Sequence, residues 1–243
     1  MKALSKTNIK GNTNINSVES FEIIPIMPEA MAVFQIDKEK HQEFKAKIEH
    51  LMDTADDKYR RDVPLDDDRE FLCNNRFQNV LLDFPELKEL HSILQESALN
   101  FIKKSGFICD QVIITDAWLN KYRLGSTLPS HRHANSYISG NYFINYDKSI
   151  NSPLTFANDR VVTSQAPVIK LDPDKSNKTP YNRSDYSIIC DEGTVLLWKS
   201  HLLHGYSKPE MGDNRLTLSF NIMPKVAGIG KQFSFAVEEN NRV

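Results

Sequence analysis

From residue 111 to residue 223 the chain is a series of short apolar runs cut by Gly, Pro, Asn and Asp. Segments 111–123, 136–146, 187–190, 194–198 and 215–223 carry the alternation or the continuous apolar stretch expected of strands. Such runs can cover their apolar faces by folding into an antiparallel sandwich or barrel. Before Gly106 the period is different. Residues 38–53 space Phe44, Ile48, Leu51 and Met52 as one helix face, and 84–105 put Leu87, Leu90, Ile93, Leu94, Ala98, Phe101 and Ile102 on another. Pro85 suits the first turn of the second helix and Gly106 its stop. Two further strands are expected at 21–26 and 31–36. The expected class is α+β, mainly β: a polar tail at 1–20, flexible by its composition, a helical part at 21–105, and a double-sheet β-core at 106–243 buttressed by the helices. Residues 53–69 read as a charged loop and 147–185 as a polar insertion, of a length usual for lids and binding loops.

Composition narrows the function classes. A chain of 243 residues suits one large domain with a proper core. A formal charge of −2 gives no electrostatic reason for a nucleic-acid or membrane-surface partner. Cys73, Cys109 and Cys190 form no CxxC pair, which fits a reduced compartment. The polar N-terminus lacks the apolar core of a signal peptide, and no apolar run has membrane-spanning length. These features together predict a soluble cytoplasmic protein. They do not separate a monomer from a homodimer.

Histidine placement suggests chemistry. His131 and His133 are two residues apart, so on a strand both imidazoles would point to one side of a sheet. His204 follows the apolar strand 194–198 and is the natural third ligand of a metal, with His201 as a rival. An isolated HxH is more often an exposed polar pair. Here it precedes an apolar run containing Gly140, and a glycine inside a strand often marks close approach of a ligand or another backbone. Arg215, Thr217, Ser219 and Asn221 share one strand face, and Leu216, Leu218, Phe220 and Ile222 the other. Read plainly, this is a sheet with one wet face. Read functionally, the polar face lines a cavity in which Arg215 forms a bidentate pair with a carboxylate and Thr217 donates a further hydrogen bond.

Two stretches in order resemble a known family. Trp118-Leu-Asn120, Gly125, His131-Arg-His133-Ala-Asn-Ser136 and Ser139-Gly140-Asn-Tyr142 form the first; Glu192-Gly193-Thr, Trp198-Lys-Ser200-His-Leu-Leu-His204 and Arg215-Leu-Thr-Leu-Ser219-Phe-Asn221 the second. Together they resemble the iron(II)/2-oxoglutarate-dependent oxygenases, and most closely a subgroup with an HxH motif found in phages and marine bacteria. The resemblance covers roughly 110–223. It implies a double-stranded β-helix (jelly roll) binding Fe(II) and the co-substrate 2-oxoglutarate. The implied reaction uses O2 to convert 2-oxoglutarate to succinate and hydroxylate an unidentified substrate, in the cytoplasm or in a phage-infected host cell. It implies that His131, His133 and His204 bind metal, that Arg215 with Thr217 clamps 2-oxoglutarate, and that Asn120 and Tyr122 line the cavity.

The chain departs from the wider family at His133, where most relatives carry a carboxylate. Three neutral imidazoles leave the metal one charge more positive. His133 could instead support the site indirectly, with Asp147, Asp159 or water completing it. The alternatives are a cupin-like three-histidine protein, either a 2-oxoglutarate-independent dioxygenase or a zinc hydrolase, and a non-enzymatic jelly-roll binding module.

Overall fold

The computed structural model describes residues 23, 25, 28–61, 69–74, 78–158, 174–177, 179–206, 208–227 and 233–236. Residues 31–243 make one compact unit and 1–30 another, and every element below lies in the first. The expected tail at 1–20, most of the expected strand at 21–26 and Asp159 fall outside the described residues.

The chain is mostly β, in antiparallel sheets, with few helices. Strand β1 (Met31–Gln35) leads into helix α1 (Lys38–Thr54), which the Asp37 carboxylate caps by accepting from the Glu39 and Lys40 amides. A short strand β2 (Arg69–Leu72) is followed by helices α2 (Val80–Asp83) and α3 (Lys88–Lys104). Pro85 lies in a 3₁₀ turn (Pro85–Leu87) just before α3 rather than in its first turn. Gly106, at φ +89°, ends α3 in the expected way: its amide reaches Lys103 O and that of Phe107 reaches Ile102 O.

Ten strands follow from β3 (Val112–Tyr122) onward: β4 (Leu128–His131), β5 (Ile138–Asn145), β6 (Leu154–Ala157), β7 (Asp185–Ile188), β8 (Thr194–Lys199), β9 (His204–Tyr206), β10 (Arg215–Pro224), β11 (Val226–Ala227) and β12 (Phe233–Ser234). Among the described residues they form, with β1 and β2, a six-stranded sheet β1-β8-β5-β10-β3-β2, a four-stranded sheet β4-β9-β6-β7 and the small pair β11-β12. Thus β1 and β2, from the stretch read mainly as helical, extend the large sheet at its two edges. The insertion expected at 147–185 supplies β6 to the smaller sheet.

Alternation along the large sheet separates two cores. On one face Leu119, Leu218, Phe220 and Tyr142 join Phe44, Ile48, Leu90 and Leu94 of α1 and α3. On the other, Tyr122, Phe143, Leu196 and Trp198 meet Leu154 and Tyr206 of the smaller sheet. Among the described residues no helix is long and apolar enough to cross a membrane.

Gly140 on β5 has a different reason from the one its position suggests. A Cβ there would fall on the Phe220 ring and 2.9 Å from Leu197 Cδ2, so the close neighbour is a core side chain. Gly140→Ala should therefore cost about 1–3 kcal/mol through overpacking. Urea unfolding would measure it, and a change near zero would mean that the Phe220 ring yields freely.

Candidate active site

Opposed residues in an antiparallel sheet share a face, so the register of β10 between β3 and β5 builds polar rows across the inner surface. Arg215 lies opposite Tyr122, Thr217 opposite Asn120 and Phe143, Ser219 opposite Trp118 and Asn141, and Asn221 opposite Asp116 and Ser139. On the far side of β3, β2 adds Arg69 opposite Tyr122 and Phe71 opposite Asn120.

The three histidines gather at the Asn221 end of these rows. His131 ends β4 and pairs in register with His204, the first residue of β9. His133 follows β4, its amide bonded to Ser200 O at 3.1 Å. One ligand atom from each of His131, His133 and His204 lies within 4.8 Å of the others. His201 is exposed and stands outside this group, as does Asp147, whose carboxylate turns back to accept from Ser149.

Local bonds fix two of the three imidazoles. His131 Nδ1 donates to Pro129 O at 3.0 Å and His204 Nδ1 to Leu202 O at 2.8 Å. Each therefore keeps its Nε2 lone pair for a metal. His133 is held differently. The Asn221 amide donates to Asp116 Oδ1 at 2.7 Å, while its oxygen accepts from Ser136 and Ser139. That orientation presents its N–H side to His133 Nδ1 at 3.4 Å. No acceptor fixes the proton on His133 Nδ1 as a carbonyl does for the other two rings.

Burial keeps His133 and His204 neutral. It pushes His133 down to about 4, helped by His131 and opposed by Asp116. It pushes His204 down to about 3, with the Leu202 carbonyl opposing and the other two histidines assisting. The unfolded chain takes up protons on both below about pH 6.5, whereas the folded metal-free protein does so only near 4 and 3. The metal-free protein should therefore lose stability steadily as pH falls from 6.5 toward 4. Melting temperatures at pH 7.5, 6 and 5 would check this, and a flat profile would mean that the rings titrate normally.

One cavity joins this cluster to Asn120, Tyr122 and Thr217, with an empty volume of ≈ 730 Å³ counting its open mouth. Its walls include Trp118, Asn141, Trp198 and Tyr206. Trp198 packs edge-on to His204 at 4.8 Å between ring centroids, and its buried indole N–H has no hydrogen-bond partner among the described residues.

Arg215 is not on the wall, although the six other predicted site residues are. Its guanidinium carbon is 3.9 Å from the centroid of Tyr122 and 3.7 Å from that of Tyr206, and both rings do line the cavity. Behind them Arg215 Nη1 pairs with Glu210, and both side chains are fully buried. Glu210 also accepts from Asn151 Nδ2 at 2.9 Å and from the Ser152 amide at 3.1 Å. Burial pushes its carboxyl upward while Arg215 and these donors pull the other way. Arg215 Nε and Nη2 are buried without a hydrogen-bond partner among the described residues. These two groups form the edge of the guanidinium that takes a carboxylate in bidentate fashion.

Sequence reasoning missed Glu210 and Trp198 as parts of this region. Of these only Trp198 carried a signal, as the last residue of the expected strand 194–198.

A family model described as "Putative 2OG-Fe(II) oxygenase" matches residues 116–221. No curated protein sequence matches the chain. Among solved structures, HygX from Streptomyces hygroscopicus, with nickel, 2-oxoglutarate and hygromycin B bound, aligns at a TM-score of 0.53 and 12% identity, over 87% of this chain and 93% of that one. The non-heme alpha-ketoglutarate-dependent epimerase SnoN of nogalamycin biosynthesis aligns at 0.58 and 10%, over 88% and 90%. EctD from S. alaskensis, in its apo form, aligns at 0.58 and 13%, over 80% and 73%. At such identities the neighbours speak for the fold. The family match adds a likeness to the 2OG-Fe(II) oxygenases over residues 116–221.

Proposed function

We propose that the chain is an Fe(II)/2-oxoglutarate-dependent dioxygenase on a double-stranded β-helix, and that it hydroxylates its substrate. The observation that carries this reading is the convergence of His131, His133 and His204 in a cavity shared with Thr217. The neighbours solved with nickel or Fe3+ and 2-oxoglutarate support the same pair of groups. The residues fit them on chemical grounds. Three neutral nitrogen donors suit a divalent transition metal. The partnerless Nε and Nη2 of Arg215 suit a carboxylate, since a buried donor without an acceptor costs about 1–3 kcal/mol.

When bound, Fe(II) and 2-oxoglutarate supply the activation of O2 and the two electrons that accompany conversion of 2-oxoglutarate to succinate and carbon dioxide. The chain's own residues position and exclude. The Pro129 and Leu202 carbonyls hold His131 and His204 with Nε2 toward the metal position, and His133 provides the third nitrogen. Glu210 holds Arg215 by Nη1, which leaves its bidentate edge for the distal carboxylate, with Thr217 as a second donor. Tyr122 and Tyr206 cover the guanidinium, so binding requires one of these rings to yield. They also keep water from the charge beneath.

The three-imidazole donor set suits one rival, a cupin-like protein of other chemistry, either a 2-oxoglutarate-independent dioxygenase or a zinc hydrolase. Neither needs a carboxylate clamp, and the free edge of Arg215 favours the oxygenase.

Anaerobic titration of the Fe(II)-loaded protein with 2-oxoglutarate tests the reading through the weak visible band of the metal chelate. A saturable band is expected, with affinity at least ten-fold weaker in Arg215→Ala, as loss of a charge-assisted bond of about 1.5–3 kcal/mol requires. Iron binding without the band would transfer the site to the three-histidine alternative.

A further inference from the structure

The two rings that cover Arg215 are not equally held. Tyr122 closes the 11-residue strand β3 and has strand partners on both sides, Arg215 on β10 and Arg69 on β2. Arg69 also bonds its phenol. Tyr206 is the last residue of the three-residue strand β9 and lies opposite Leu128 of β4. The pairing of β9 with β6 takes in His204 and Gly205 and stops there, so Tyr206 is held by a strand on one side. Among the described residues one hydrogen bond holds its hydroxyl: Asn141 Nδ2 donates to it at 3.2 Å. Both side chains are buried.

That bond ends a row. Asn120 Nδ2 donates to Ser219 Oγ at 3.0 Å, and Ser219 Oγ donates to Asn141 Oδ1 at 3.1 Å. All three donors point toward Tyr206, an arrangement in which each bond polarises the next. Asn120, Ser219 and Asn141 line the cavity, as Tyr206 does. On β10, Ser219 stands between Asn221 at the histidine end and Arg215 at the other. A co-substrate that reaches from the histidines to Arg215 therefore crosses the row, where its oxygens compete for the Asn141 amide. The cavity beside Tyr206, with an empty volume of ≈ 730 Å³ counting its open mouth, gives the ring room to turn.

We propose that Tyr206 is the movable cover of Arg215 and that Asn141 is its latch, a positioning residue that acts on co-substrate binding through Tyr206. Closed, the ring lies 3.7 Å from the guanidinium carbon and shields the partnerless Nε and Nη2. Open, it yields those donors to a carboxylate. A ligand that binds only the open form loses affinity in proportion to the closed population. The inference rests on the oxygenase reading for the identity of the carboxylate, but not for the cover itself.

The test titrates the full chain, loaded with Zn(II), with 2-oxoglutarate. Intrinsic fluorescence reports binding, because both tryptophans, Trp118 and Trp198, line the cavity. Y206F keeps the ring and loses the acceptor, whereas N141A keeps the phenol and loses the donor. Each should bind 2-oxoglutarate about two- to ten-fold more tightly than wild type, the ratio that loss of one hydrogen bond from the closed form implies. Y122F should bind as wild type does. An Asn141 that served the fold alone would lower the melting temperature of N141A without tightening the ligand. Unchanged or weaker binding in either Y206F or N141A overturns the latch, since both remove the same bond. Tightening in Y122F as large as in Y206F would give the cover to Tyr122 instead. Glutarate, which has the two carboxylates but no keto group, is titrated in parallel. If 2-oxoglutarate binds no better than glutarate while both follow the expected order of variants, the oxygenase reading fails and the latch stands. If neither binds wild type or any variant, Arg215 admits no carboxylate and the proposal falls.

Discussion

Replacing His204 with alanine should abolish stoichiometric metal binding, weakening affinity on the order of 100-fold or more, while the fold persists. Its Nε2 is committed to the metal position because Nδ1 is tied to Leu202 O at 2.8 Å, and outer groups that only orient such a ring already matter by 10–100-fold. The fold should survive because β9 is held to β4 and β6 by backbone pairing. Some stability will be lost, since His204 packs on Trp198 and Phe156. Metal content after dialysis and a chelator competition give the affinity, and circular dichroism gives the fold. His133→Ala should fall less far, because no carbonyl sets its tautomer for coordination. A His204→Ala protein that retains one metal per chain would remove His204 from the ligand set. Equal losses in the two variants would show that His133 is as good a ligand as the pinned pair.

Glu210→Ala should destabilise the metal-free protein by about 3–5 kcal/mol, the usual result of leaving one member of a buried ion pair alone. Arg215 and Glu210 are both fully buried, so water cannot replace the lost carboxylate. The Asn151 amide and Ser152 N–H would lose their acceptor at the same time. Replacing both partners with apolar residues of similar size should be far milder, because it removes the charges instead of stranding one. Chemical unfolding of the single and double variants measures the contrast. A single-variant loss below about 1 kcal/mol would mean that Arg215 finds another partner or reaches solvent past Tyr122.

Glu210 also illustrates what a sequence conceals. Within Pro209-Glu210-Met211-Gly212 it reads as a surface turn, and only the folded chain brings it beneath β10. The long elements were legible because their signals are local. The alternation of β3 and β10 and the stripes of α1 and α3 were visible in the residues themselves, and Phe44, Ile48, Leu51 and Met52 are all buried as that spacing predicts. Strands β2, β4, β6 and β9 were not legible. Each has three or four residues and exists because a distant partner supplies its hydrogen bonds, as His204 does for His131. Arg69 and Glu70 on β2 also close a charged run that looks like a loop. The same division holds in the site. The face shared by Arg215, Thr217, Ser219 and Asn221 could be read from a period of two. That Arg215 would lie behind two tyrosines depended on the packing of β9 against β3, which no local pattern encodes.

The register that sets His131 opposite His204 has a mechanical side. β4 is a four-residue edge strand whose pairing with β9 slips between Leu128 and His131. An ion gripped by both imidazoles is therefore a cross-strand rivet at the weakest margin of the smaller sheet. It adds a cross-link between two short strands whose own pairing is slight. On the proposed reading, loading the site would tighten that margin as well as arm the chemistry, so one ion would also set how firmly one rim of its vessel is shut.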